Sequence, residues 1–294
     1  MVEGNLITLV ALPLGLAFIM VSLGLGLTPD DFRRVVQRPR GVAIGMFNLL
    51  LVAPLLAFGI AELCDLPPEL AVGLVLLGAA PGGTMANLMT HLAKGETALS
   101  VTLTGMSSAF AVVTVPVYLT VSTNHFGVTD IDTNIDMLPV AARVLVITLL
   151  PLAIGMLLRS RKTEWAIRNE PIFKRVSIGL FIVIVGSAIA SEWGRVTGYL
   201  GDVIVAVILL NVAAMTLSFL FARAARLNEA SATAIALELG LHNATLAIAV
   251  GSAVSSEMTV PAAVYGLFMW VTGGLFAWVM SKRNAAVGAL TPSG

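Results

Sequence analysis

Charge is what this 294-residue sequence has least of. Asp, Glu, Lys and Arg together make up 12% of it, while 57% is hydrophobic and the mean hydropathy is +0.94. An ordinary soluble domain carries about 25% charged residues, so the chain lacks the polar surface to coat a water-facing globule. The few charges cancel, with 17 of each sign. That balance gives no sign of a nucleic acid or strongly acidic partner, and nothing calls for an obligate protein partner. One cysteine, Cys64, excludes an intrachain disulfide, and three histidines make a Cys/His zinc site untenable. No Ser/Pro/Gly-rich linker or low-complexity tract divides the chain. An intramembrane protease would need two buried aspartates, a His-Glu-x-x-His motif, or a serine with its base, and none is visible, so no enzyme is expected.

Long apolar runs are what is there. A bilayer core takes about 20 apolar residues as a helix, and nine stretches qualify: 6–27, 41–61, 69–92, 98–121, 138–158, 173–190, 198–222, 231–254 and 260–281. The first is expected to be a span and not a cleavable signal peptide: it is long, begins near Glu3, and runs into Pro29-Asp30-Asp31 without a small-residue cleavage site. The loops then alternate. Arg33, Arg34, Arg38 and Arg40; Lys94; Arg159, Arg161, Lys162, Arg168, Lys174 and Arg175; Arg223 and Arg226; and Lys282 and Arg283 fall on one side, 15 of the 17 basic residues. Only Arg143 and Arg195 fall on the other, among Glu62, Asp65, Glu69, Asp130, Asp132, Asp136, Glu192 and Glu257. The positive-inside rule then predicts a multi-pass cell-membrane protein with its N-terminus outside and its C-terminus cytoplasmic. The longest polar stretch, 159–171, is expected to be a cytoplasmic loop between two halves of a repeat.

Polar residues inside the spans cluster at two interruptions. The third span reads Gly78-Ala79-Ala80-Pro81-Gly82-Gly83-Thr84-Met85-Ala86-Asn87. Proline removes a helix hydrogen bond and the glycines remove stiffness. Such a break reads either as a packing kink or as backbone lining a wet cavity. The eighth span reads Glu238-Leu239-Gly240-Leu241-His242-Asn243-Ala244-Thr245. Glu238 is the one acid well inside a span, where an ionised carboxylate costs roughly 2.5 kcal/mol or more. No Lys or Arg stands in any span core, unless Arg143 reaches inward from the outer end, so the compensating partner is a proton or a bound cation. Asn87, Asn243, and Ser100 with Thr104 four residues on supply oxygens suited to an alkali cation. His242 reads as a buried neutral histidine or as a proton carrier, which leaves open a proton-coupled alternative using Glu238 and His242. Paired interruptions in two halves point to a transporter site, and the helix starts near 84–87 and 242–245 would aim N–H groups at an anion.

These same residues carry a family resemblance. Pro81-Gly82-Gly83-Thr84-Met85-Ala86-Asn87, then Gly95-Glu96-Thr97-Ala98-Leu99-Ser100 and Thr104, resemble the bile acid:sodium symporter family. So does Glu238-Leu239-Gly240-Leu241-His242-Asn243, against that family's Glu-x-Gly-x-Gln-Asn, together with residues 24–32 (GLGLTPDDF) and 66–73 (LPPELAVG). The resemblance implies an all-α membrane protein of nine spans, in two inverted repeats with discontinuous crossing helices. Panel helices would lie at about 6–27, 138–158 and 173–190, and core helices at about 41–123 and 198–281. It implies sodium-coupled uptake of an organic anion, bile acid-like or a smaller carboxylate, by alternating access. One sodium ion would be held by Asn87, Ser100, Thr104 and Glu238. A second would be held by Glu238, the carbonyls of Leu239 and Leu241, and His242. The anion would meet Thr84 and Asn243. The sequence departs from the family at Ala86 (serine), at Asn48-Leu49 (glutamine), at His242 (glutamine) and at Met269-Trp270 (histidine).

Overall fold

The computed structural model describes residues 12–28, 39–128, 137–196 and 200–290. The start of the first expected span (6–11), Arg33, Arg34 and Arg38, Asp130, Asp132 and Asp136, and residues 198–199 of the seventh span lie outside these. Among the described residues the chain is all helix with one isolated bridge. Eleven helices follow in order. They are α1 (Leu12–Gly26), α2 (Pro39–Leu63), α3 (Pro68–Ala79), α4 (Thr84–Leu92), α5 (Thr97–Phe126), α6 (Met137–Val144 continuing to Arg161), α7 (Thr163–Val196), α8 (Leu200–Ala224), α9 (Glu229–Gly240), α10 (Ala244–Gly251) and α11 (Val260–Leu290). Six of these, α2, α5, α6, α7, α8 and α11, contain a stretch long and apolar enough to cross a membrane, while α1 and α3 are shorter apolar helices.

Proline sets several of the local shapes. Pro81 cannot donate to Leu77 and forces the residue before it out of the helical region; accordingly Ala80 is extended (φ −66°, ψ 144°) and α3 stops at Ala79. In α2 a π turn at Asn48–Val52 precedes Pro54, and in α6 another at Leu145–Leu149 precedes Pro151. A proline four residues on deprives a carbonyl of its partner, and a widened turn accommodates the gap. In α2 the freed Leu50 carbonyl accepts the Tyr118 hydroxyl at 2.8 Å. The expected loop at 159–171 is instead mostly helix: α6 runs to Arg161, and α7 starts at Thr163 and carries Pro171 inside it. Its polar run holds i,i+4 charges such as Glu170–Lys174 at 2.6 Å, which suits a helix projecting past the apolar layer.

Two groups of helices pack. α1 lies on α6 and α7, and Gly24 and Gly155 let α1 and α6 touch backbone to backbone. A methyl at 24 would meet the Leu152 carbonyl oxygen at 2.2 Å. The second group surrounds α3 and the α9/α10 pair. Every residue from 231 to 251 is buried, and α3 is buried from Leu70 onward. The outer faces are the reverse of a soluble protein's: Leu14, Leu55, Val113, Val183, Leu267 and Val271 are all more than half exposed, as surfaces facing lipid are.

Candidate functional site

The two interruptions meet. Gly82 and His242 form an antiparallel bridge. The Gly83 N–H donates to the Leu241 carbonyl at 2.7 Å, and the Asn243 N–H donates to the Pro81 carbonyl at 2.8 Å. Two backbone stretches that left their helices thus satisfy each other in the protein interior, which resolves the cost of broken helices at that depth. Gly82 and Gly83 are required here: a methyl at 82 would fall 1.8 Å from Glu238 Oε2, and one at 83 would fall 2.8 Å from the Leu241 carbonyl oxygen.

Beside this crossing, four of the expected residues converge on one point. Glu238, on the last turn of α9, is 0% exposed. Ser100 Oγ on α5 lies 2.5 Å from Glu238 Oε1 and 2.8 Å from Asn87 Oδ1 on α4. Thr104 Oγ1, one turn further, lies 2.9 and 3.0 Å from the two carboxylate oxygens and 3.3 Å from Asn87 Oδ1. It also reaches its own helix's Ser100 carbonyl at 3.0 Å. A hydroxyl has one proton to give. Five side-chain oxygens therefore share two hydroxyl protons, and their surplus lone pairs suit a positive charge. Among the described residues no Lys, Arg or His forms an ion pair with Glu238. The C-terminal end of α9 adds negative potential. With a single carboxylate, and no cluster of three His, Cys, Asp or Glu among the described residues, the chemistry fits an alkali cation better than a transition metal.

Leu239, Leu241 and His242 lie on or just past the end of α9. The Leu241 carbonyl is engaged by Gly83, and its second lone pair is unassigned. His242 Nδ1 is 3.0 Å from the Ala80 carbonyl, so it is the protonated nitrogen and donates; Nε2 is buried without a partner. No hydrogen bond joins His242 to Glu238, which leaves the proton-coupled alternative without a direct relay. Asn243 is the N-cap of α10: its Oδ1 accepts the Leu246 N–H at 3.1 Å and the Thr245 hydroxyl at 2.6 Å. Its amide nitrogen faces Met20 Sδ on α1 at 4.0 Å. Thr84 opens α4 at the first break; its side chain is outside the described residues. A narrow cleft runs past Asn243, Thr245, Met269 and Trp270 to Met20 and Phe181. A second, roomier one reaches Asn87 from the side of Lys174 and His91.

Sequence reasoning did not find several supporting groups. Ser107 accepts the Gly82 N–H at 3.4 Å, and Thr90 donates to Ser100 at 3.3 Å. The capping role of Asn243 had a signal, since Asn before an apolar helical run is a preferred N-cap. Ser107 and Thr90 had none, because mid-helix hydroxyls usually bond their own helix.

A model of the Sodium Bile acid symporter family matches residues 13–198. Over 275 residues the chain is 33% identical to the Bacillus subtilis (strain 168) "Uncharacterized sodium-dependent transporter YocS", covering 91% of this chain and 82% of that one. It is 30% identical to the Arabidopsis thaliana "Probable sodium/metabolite cotransporter BASS1, chloroplastic", covering 92% of this chain and 66% of the relative. It is 27% identical over 238 residues to the Homo sapiens "Ileal sodium/bile acid cotransporter", covering 79% of this chain and 66% of the relative.

Proposed function

Because the chain belongs to the sodium bile acid symporter family, a family of sodium-dependent membrane transporters, we propose that it is a sodium-coupled importer of an organic anion, bile acid-like or a smaller carboxylate, working by alternating access. One observation carries this reading: a fully buried carboxylate, Glu238, at a helix break, bonded to Ser100 and Thr104 beside Asn87 and lacking a cationic side-chain partner among the described residues. A bilayer interior holds an ionised carboxylate only when something neutralises it. Sodium, carried as co-substrate, does so with Asn87, Ser100, Thr104 and Glu238 as ligands. A second ion takes Glu238, the Leu239 and Leu241 carbonyls and His242. The anion binds at Thr84 and Asn243, where α4 and α10 begin and the positive ends of their helix dipoles lie.

In this reading the short helices cross as pairs, α3 with α4 and α9 with α10, giving nine crossings in two inverted repeats. α1, α6 and α7 form a panel, and the remaining helices form the core that carries the crossing. The basic loops are cytoplasmic, which puts the N-terminus outside and the C-terminus inside. Sodium at Glu238 holds the ends of α9 and α5 together beside the anion site. Each ligand therefore raises the other's affinity by the same factor.

The test is the thermal stability of purified protein in sodium against choline, at fixed pH. Saturation to about 100 times the dissociation constant adds about 2.7 kcal/mol to the folded state, read as a higher Tm in sodium that Glu238→Ala abolishes along with sodium-dependent uptake. Equal melting in both salts, or wild-type uptake in Glu238→Ala, would overturn the proposal.

A further inference from the structure

We infer that Asn211 on α8 and Tyr265 on α11 are positioning residues that pin the open end of α9 and so set the affinity for sodium; the link to sodium rests on the function proposed above. In an uninterrupted helix the Gly240 carbonyl would accept the Ala244 N–H. Here that N–H bonds the His242 carbonyl at 2.9 Å. The Gly240 carbonyl accepts instead from Asn211 Nδ2 at 2.6 Å and from the Tyr265 hydroxyl at 2.9 Å. The second Asn211 N–H lies 2.9 Å from the Tyr265 oxygen and closes a triangle. Both side chains are 0% exposed. Two donors fill both lone pairs of one carbonyl, more than the solitary cap that ends most helices.

Placement gives this pin its consequence. Glu238 belongs to the same last turn of α9 as Gly240, so holding Gly240 between α8 and α11 fixes where the carboxylate meets Ser100 and Thr104 on α5. Neither Asn211 nor Tyr265 makes a hydrogen bond to Glu238, so both act through the backbone. The other break has a counterpart, His242 Nδ1 on the Ala80 carbonyl, and the two breaks then hold each other through Gly83 and Asn243. Without the Gly240 pin, that carbonyl competes for other donors and the last turn of α9 becomes an ensemble. Sodium must then order the cluster before binding it.

Tyr265→Phe keeps the ring and deletes the hydroxyl. Asn211→Leu keeps the branching at Cγ and deletes the amide. In proteoliposome uptake, each variant should raise the sodium half-saturation concentration about tenfold, as expected for losing one of the two hydrogen bonds that hold the Gly240 carbonyl. Maximal rate, and the half-saturation for anion at saturating sodium, should stay within about twofold, which a general loss of folded protein would not allow. In sodium-free protein, hydrogen exchange of the backbone over 238–246 should accelerate in both variants. An unchanged sodium midpoint in Tyr265→Phe, or unchanged exchange in both variants, overturns the inference. If wild-type protein shows no sodium response, the proposed function falls, and the exchange measurement by itself still decides whether the pin exists.

Discussion

At the scale of single residues, Glu238 and Gly82 depend on each other. The carboxylate can reach Ser100 and Thr104 only because residue 82 has no side chain; a methyl there would fall 1.8 Å from Oε2. Gly82→Ala is therefore expected to push Glu238 off its partners and raise the sodium half-saturation concentration at least about tenfold, with the protein still folded. A sodium titration of uptake checks this. Ser100→Ala removes a hydroxyl 2.5 Å from Oε1; hydrogen bonds to charged groups are worth about 1.5–3 kcal/mol. Its sodium affinity should fall by roughly one to two orders of magnitude, measured by the sodium-dependent shift in Tm. Glu238 was legible in the sequence because an acid inside an apolar run has no ordinary explanation. The role of Gly82 was legible only as backbone freedom, since the atom it makes room for belongs to a helix far along the chain.

Helices and their contacts raise different questions, and proline answers several of them. Pro81 ends α3, and Pro54 and Pro151 each follow a π turn. Tyr118→Phe would strand the half-buried Leu50 carbonyl that Pro54 leaves free; an acceptor left unsatisfied away from water costs about 1–3 kcal/mol. The expected result is a lower Tm in choline with the sodium increment unchanged. The α1–α6 contact through Gly24 and Gly155 is equally strict, and Gly155→Ala, whose methyl would meet the Val21 carbonyl oxygen at 2.2 Å, should cost about 1–3 kcal/mol of stability by overpacking. A thermal melt in choline checks it. The reading of 159–171 as a loop failed at this scale: polarity marks what lies outside the apolar layer, but a helix can leave that layer without ending. Pro171 was a poor stop signal because it sits more than two turns inside α7, where its missing N–H interrupts a single bond and the flanking turns carry the helix on.

Across the whole molecule, the two cavities lie between α1 and α7 on one side and the crossing on the other. The larger reaches Asn87 past Leu88, which is 45% exposed, and has Lys174 and His91 in its wall. With Cys64 replaced by serine, a cysteine at Leu88 should react with a membrane-impermeant thiol reagent added on the side of the basic loops, and should be protected by sodium with a transported anion. Labelling from the opposite face alone would reverse the proposed orientation.

The sequence by itself determined that the chain is helical and apolar enough for a membrane, that two helices are interrupted, and that Glu238 needs a cation or a proton. Those follow from composition, from the missing N–H of Pro81, and from the cost of a charge in lipid, all of which act locally. Only the tertiary structure decided that the interruptions bond to each other through Gly83 and Asn243, that Ser100 and Thr104 face Glu238 while His242 faces Ala80, and that Asn211 and Tyr265 close the end of α9. Each of these joins residues far apart in sequence, and periodicity along one helix carries no information about which atoms of another will meet it.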